Sequence, residues 1–139
     1  MIIYGLMNAE TFEKEVRELR RRQRRFFACR KDDPDREKAK LMMREQEGVV
    51  REEVEFVMMV RPKGKPSSGE RENFFLAVAD MMRKQQDWAR QGGGSWYMNP
   101  AKDAEKRVDE YLKRWDEQRE AERQKRIEEE KKKQMVLFG

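Results

Sequence analysis

The segment TFEKEVRELRRRQRRFF, residues 11–27, decides the fold, because its apolar pattern returns in the segment NFFLAVADMMRKQQDWA, residues 73–89. Five positions match at a constant offset of 62: the first copy has Phe12, Val16, Leu19, Gln23 and Phe26, and the second has Phe74, Val78, Met81, Gln85 and Trp88. Steps of four and three residues place these side chains on one face of an amphipathic helix. The sequence therefore predicts two copies of one helix.

Each copy is followed by a signal for the start of a second helix. The signals are Asp33-Pro34 and Asn99-Pro100, each a capping side chain before a proline that suits the first helical position. They lie 66 residues apart, which predicts a longer connecting loop in the second copy. Behind each signal runs a further apolar stripe: Met43, Val50, Val54 and Val57 in the first copy, and Ala104, Val108, Tyr111, Leu112 and Trp115 in the second.

These stripes predict an all-α protein of two repeated helical hairpins, with helices near 8–31, 34–60, 70–91 and 100–115, and a long charged helix that protrudes from them. The stripes can be buried together as a four-helix bundle, or they can pair between chains in a homo-oligomer. Residues 49–60 also alternate as a strand would, but the helical spacing that continues from Met43 favours a helix. We expect hairpin one in 1–61, a linker in 62–69, hairpin two in 70–115, a stalk in 116–133 and a short peptide in 134–139.

Gln23 and Gln85 interrupt the two apolar stripes at the same repeat position. A buried amide must find hydrogen-bond partners, so this pair can fix the register between two helices. The alternative is that both side chains lie at a solvated edge of a thin core. Neither interpretation is catalytic.

Composition argues against an enzyme. The chain has no histidine, which is the commonest general base and metal ligand, and its only cysteine is Cys29, expected to be buried or half-buried. We therefore expect no catalytic residues, no metal, no cofactor and no small-molecule substrate. A lone cysteine, an apolar N-terminal stretch too short for a signal peptide and the lack of a membrane-spanning run predict a cytoplasmic protein without membrane contact.

Positive charge is concentrated on the first helix. The chain carries 33 basic and 28 acidic side chains, a net charge of +5, and one flank of the first helix gathers Arg17, Arg20, Arg21, Arg24 and Lys31. Such a flank can bind the phosphates of DNA or RNA without reading sequence. The alternative is a solvated surface whose arginines pair with acidic residues of neighbouring helices.

The peptide Gln134-Met135-Val136-Leu137-Phe138 follows a segment of alternating charges, which predicts a lone helical stalk. This peptide resembles the Gln-x-x-Leu-Phe motif by which many bacterial replication and repair proteins bind the sliding clamp. The resemblance rests on Gln134, Leu137 and Phe138, with Met135 an acceptable variant, whereas Val136 replaces the small polar residue often found there. It implies that Leu137 and Phe138 fill an apolar pocket while Gln134 hydrogen-bonds at its rim.

Two patterns in the body, Val-x-x-Leu-Arg-x-x-Gln-x-x-Phe-Phe at 16–27 and Ala-Glu-x-x-Val-Asp-x-Tyr-Leu at 104–112, resemble short helical-hairpin proteins of bacteriophages and mobile elements. This resemblance assigns no functional residue.

The leading functional hypothesis is a non-enzymatic adaptor that is tethered to the sliding clamp by its C-terminal peptide. One alternative is a structural or self-associating helical protein, in which the peptide folds back on the bundle or pairs with residues 2–4. Another is a weak, sequence-independent nucleic-acid binder that uses the basic flank.

Overall fold

The computed structural model describes residues 5–60, 69–92 and 94–138, and within them the chain is all-α, as predicted. Four helices follow one another: α1 (Ala9–Ala28), α2 (Arg36–Val60), α3 (Glu70–Arg90) and α4 (Ser95–Phe138). Residues 49–60 belong to α2, so the helical interpretation of that segment is confirmed. The predicted linker lies outside the described residues except for Gly69, and so do residues 2–4.

Local side-chain caps set the ends of the first hairpin. Asn8 caps α1, because its Oδ1 accepts a hydrogen bond from the Thr11 amide at 2.8 Å. In the loop before α2, the Asp33 carboxylate accepts from the Asp35 amide at 2.8 Å. The Asp33-Pro34 signal therefore does precede a helix, which begins two residues later than predicted. Cys29 is half-buried, as expected.

The helices alternate in direction. Phe12 contacts Phe74, with ring centroids 5.8 Å apart, and the residues pair again further along at Gln23 and Gln85, so α1 and α3 run parallel. Helix α4 runs the other way, because its residues Lys102, Asp109 and Arg119 meet α1 from its C-terminal to its N-terminal part. We call the end with the loops at 29–35 and 91–94 the loop end, and the opposite end the stalk end.

Both copies of the repeat contribute equivalent residues to the core of the bundle. The central residues of the two copies are equally inaccessible, since Val16, Leu19, Val78 and Met81 are all 0% exposed. One cluster joins both hairpins and contains Phe12, Val16, Leu19, Val50, Val54, Phe74, Val78, Met81, Met82, Ala104, Val108, Leu112 and Trp115. The equivalent residues of α1 and α3 face each other across a pseudo-twofold axis that runs along the bundle.

The predicted start of the fourth helix at Asn99-Pro100 is wrong. Helix α4 begins at Ser95, where the amides of Tyr97 and Met98 both donate to the Gly94 carbonyl at 3.0 Å, and Pro100 lies inside the helix. A proline this close to a helix start removes one hydrogen bond, from a first-turn carbonyl that water can reach.

The offset of 66 is also wrong, because the buried positions of α4 follow those of α2 at the offset of 62. Ala101 is buried like Ala39, Glu105 like Met43, Val108 like Gln46, Leu112 like Val50 and Trp115 like Glu53. The second loop is shorter than the first, not longer. Gly92, with φ of +74°, ends α3 in a left-handed conformation that glycine adopts without strain.

Helix α4 continues well beyond the bundle. From Asp116 to Leu137 every side chain is exposed, and the last one that contacts another helix is Arg119, which bonds to Glu13. The remaining 19 residues to Phe138 would extend about 28 Å at the helical rise. Ion pairs such as Arg126 with Glu122 at 4.0 Å line this stalk, as predicted. No helix in the described part of the chain is long and apolar enough to cross a membrane.

Candidate interaction sites

The two glutamines of the repeat bond to each other. Gln23 Nε2 donates to Gln85 Oε1 at 3.1 Å, and Gln85 Nε2 donates back to Gln23 Oε1 at 3.3 Å. Arg20 also donates to Gln23 Oε1 at 2.6 Å, and Glu105 accepts from Gln85 at 3.2 Å. Gln23 is only 2% exposed and Gln85 is half-buried, so this polar layer lies within the bundle and fixes the register of α1 against α3.

Glu13 is a buried carboxylate that pairs with arginines of three helices. Arg119 bonds both its oxygens at 2.7 Å, and Arg71 and Arg17 each bond it at 2.8 Å. Burial raises the pKa of Glu13, but hydrogen bonds from Arg119, Arg71 and Arg17 outweigh it and lower the pKa to about 2. Glu13 therefore joins α1, α3 and α4 as a charged structural group.

A second buried carboxylate, Glu53, holds the segment that precedes α1. It accepts hydrogen bonds from the Leu6 amide at 3.1 Å and the Met7 amide at 3.3 Å. Gly5 passes so close that a Cβ there would lie 1.6 Å from Glu53 Oε1, so only glycine fits. Sequence patterns gave no indication of this contact, because Glu53 stands between Glu52 and Val54 like any surface residue.

The basic flank of α1 faces α4. Arg17 donates to Asp116 at 3.0 Å, and Arg20 makes a bidentate pair with Asp109 at 2.9 and 3.0 Å. Arg24 reaches the same aspartate at 3.2 Å. The structure thus brings these three arginines together against acidic residues, which leaves little unpaired charge for phosphates on this side.

The other two predicted members of the flank form no ion pair with α4 in the described structure. Arg21 is 63% exposed and pairs with Glu18 of its own helix. Lys31 is exposed in the loop after α1. Whether this flank binds nucleic acid stays a prediction.

The C-terminal peptide is presented to solvent. Met135, Val136 and Leu137 are 72%, 84% and 78% exposed, and Gln134 is exposed too. The peptide continues α4 as a helix, in which residues 134 and 137 share one face. Met135, Val136 and Leu137 are one of two runs of three consecutive exposed apolar side chains among the described residues, the other being Met58, Met59 and Val60 at the end of α2.

A third surface, which the sequence analysis missed, lies at the loop end between α3 and α4. Its groove is lined by Arg83, Lys84, Asp87, Trp96, Tyr97 and Pro100. Trp96 is 82% exposed, the highest value among the described aromatic residues. The residues around Trp96 were assigned to a loop, and the signal that could have revealed the surface is the pair Trp96-Tyr97 after a run of glycines.

Within the described residues no group of three or more histidine, cysteine, aspartate and glutamate side chains could hold a metal ion. Comparison with protein-family models, with curated proteins and with solved structures finds no match.

Proposed function

We propose that the protein is a non-enzymatic adaptor that binds the bacterial DNA sliding clamp through Gln134, Met135, Leu137 and Phe138, and that it acts in the cytoplasm. The observation that carries this proposal is the exposure of Met135, Val136 and Leu137 at the far end of a charged helix. Contiguous exposed apolar side chains on an otherwise polar element are typical of a surface that a partner covers.

The stalk supports this assignment, because it separates the peptide from the bundle. Its side chains are charged and solvated, and they hold the start of the peptide about 22 Å beyond Arg119. At that distance the bundle does not obstruct a ring-shaped partner. The stalk thus places the peptide away from the bundle, and the peptide makes the contacts with the partner.

The helical state of the peptide does not prevent binding in another conformation. The last turn of a helix has carbonyl groups without intrahelical partners, and it unwinds at little cost in free energy. Leu137 can therefore enter either a groove that binds an extended peptide or a groove that binds one face of a helix. A short peptide of this kind gives affinities in the micromolar range.

The resemblance of the body to phage and mobile-element proteins suits a replication adaptor, and it stays a prediction. Such an adaptor would bring whatever its bundle binds to the clamp.

The direct test is binding of the purified protein to a bacterial sliding clamp by surface plasmon resonance. We expect micromolar binding by the wild type and loss of at least tenfold in affinity for the double variant Leu137→Ala, Phe138→Ala. The matched control is Ile127→Ala on the stalk, another apolar truncation at an exposed helical position, which should bind like the wild type.

Thermal melts of the same proteins separate docking from folding. The double variant should melt like the wild type, because Leu137 makes no part of the bundle core. Wild-type protein that does not bind the clamp, or a double variant that binds equally well, contradicts the proposal. A sharply lower melting temperature would instead assign the peptide to the fold.

A further inference from the structure

The exposed aromatic residues gather at one end of the molecule. Among side chains that the structure describes, the exposed aromatic ones are Phe27, Trp96 and Tyr97, and all three lie at the loop end. Aromatic residues towards the stalk end pack on one another instead, as in the contact of Phe74 with Trp115 at 4.8 Å. Within the part of the chain that the structure describes, exposed aromatic rings are therefore confined to the loop end.

Cationic side chains accompany these rings. Arg83 and Lys84 line the groove beside Trp96, and both pair with Asp80, at 3.0 and 2.9 Å. Arg107 lies 3.8 Å from the same carboxylate, so one negative charge is shared by three positive ones. Arg83 and Arg107 remain 71% and 58% exposed, which leaves them free to contact a ligand from solvent.

A similar arrangement lies on the neighbouring side of the loop end. Lys102 Nζ stands 5.6 Å from the ring centroids of both Phe27 and Trp88. Its side chain is 54% exposed. Cations and aromatic faces thus alternate across the loop end.

The loop end also holds the net charge of the molecule. Residues 24–40 and 80–109, which include the partners Asp80 and Asp109, together carry 13 Lys and Arg against 9 Asp and Glu, a balance of +4 out of the +5 of the whole chain. The remaining residues sum to +1. An anionic ligand is therefore attracted more strongly to the loop end than to the rest of the molecule.

We infer that the loop-end groove, where Arg83, Lys84, Trp96 and Tyr97 lie beside the single carboxylate Asp87 and Pro100, binds single-stranded nucleic acid. An exposed indole face offers a stacking platform to an unpaired base, and adjacent cations contact the phosphates on either side of it. A duplex keeps its bases stacked on one another, so it can use only the cations. The groove therefore prefers single strands, without preference for sequence.

This inference is independent of the clamp proposal and extends it. The groove lies at the loop end, whereas the stalk leaves from the opposite end of the bundle. A strand in the groove and a partner on the peptide do not compete for space. The molecule can hold both at once, as a bridge between them.

The test is fluorescence anisotropy of a labelled thymidine oligonucleotide of about 20 nucleotides, long enough for a site of this kind, in about 50 mM salt. We expect binding that weakens steeply as salt rises, and weaker binding to a duplex of equal length. Trp96→Ala should lower the affinity for the single strand about tenfold. Arg83→Gln with Lys84→Gln should lower it and also reduce the salt dependence.

Two controls make the result specific to the groove. Arg126→Gln removes one charge from the stalk, and Met59→Ala truncates an exposed apolar side chain near the end of α2, so neither should change binding. Circular dichroism establishes that each variant is folded. The inference fails if the wild type does not bind, if Trp96→Ala binds like the wild type, or if duplex binds as tightly as single strand. It also fails if Arg21→Gln and Arg24→Gln abolish binding while Trp96→Ala does not, because the site would then be the flank of α1.

Discussion

At the scale of single residues, the bundle depends on buried charges that have several partners each. Arg20 is 6% exposed and Glu13 is 3% exposed, and a charge at such a position is tolerated only when hydrogen bonds replace its water. Arg20 has Asp109, Gln23 and Glu105, while Glu13 has three arginines. Removing Glu13 or Arg20 therefore breaks several charge-assisted hydrogen bonds at one buried position.

The replacement Glu13→Gln should destabilise the protein by about 3 kcal/mol at neutral pH. It should also change how the free energy of unfolding depends on pH. The pKa of Glu13 is lowered to about 2, so the carboxylate stabilises the fold fully above its unfolded pKa near 4.5, and this contribution is lost as the pH falls towards 2. Urea unfolding from pH 7 to pH 2.5 should show a shallower decline in the variant.

Part of the acid response remains in that variant, because hydrogen bonds from Arg21 and Arg22 also lower the pKa of Glu18 to about 2. Glu128→Gln, an exposed change of the same kind on the stalk, is the matched control and should reproduce the wild-type curve. If Glu13→Gln declined with pH in parallel with the wild type, Glu13 would not be the charged structural group described above.

The sequence predicted some of these residues and not others, for a physical reason. Gln23 and Gln85 stood out because a repeat placed two amides at the same position of two apolar stripes. Glu13 and Arg20 each lie one residue beyond an apolar position, where a charge is usually solvated. Their burial depends on α4 packing against that side of α1, and α4 is about 90 residues away along the chain, so no local pattern reports it.

At the scale of elements, α4 is one continuous helix with a packed part and a projecting part. Up to Arg119 it packs in the bundle, and beyond that residue it projects into solvent. The sequence predicted a break at Asn99-Pro100 because a capping residue and a proline usually open a helix. Here the glycines before Ser95 already provide the turn, and Pro100 is accommodated in the second turn of a helix that began earlier.

Ending the chain at Glu120 should leave the melting temperature unchanged, because the described residues removed are exposed and their hydrogen bonds and ion pairs lie within α4. It should shorten the longest dimension in small-angle X-ray scattering by up to about 27 Å. Ending the chain at Glu110 instead removes Trp115 and Arg119 and should unfold the bundle. If the protein that ends at Glu120 melted several degrees below the wild type, the stalk would have to pack against the bundle.

At the scale of the whole molecule, the offset of 62 makes equivalent residues energetically comparable. Leu19 and Met81 are both 0% exposed in the same layer, so Leu19→Ala and Met81→Ala should each cost about 2–5 kcal/mol in the free energy of unfolding. Ala121→Ser on the stalk should have almost no effect. Denaturant unfolding measures all three, and a large inequality between the first two would contradict the pseudo-twofold arrangement of the core.

The all-α class and the pairing of α1 with α3 were predictable from apolar spacing alone, since Phe12 and Phe74 already mark one layer in the sequence. The loop-end groove was not predictable, because it depends on how far α4 extends before Pro100. The apolar spacing of the helices thus predicted the buried core. The surface groove depends on where the connections between helices end, which that spacing does not predict.

The pseudo-twofold axis also bears on ancestry. Phe12 meets Phe74 and Gln23 meets Gln85 across that axis, as they would if one hairpin had first paired with an identical molecule and the gene had then been duplicated in tandem. In such a self-pair the places of Arg71 and Arg119 would be taken by Ala9 and Val57, and Glu13 would keep only Arg17. A hairpin paired with its own copy would therefore lack the interhelical arginines of Glu13, which the joining of two different hairpins supplies.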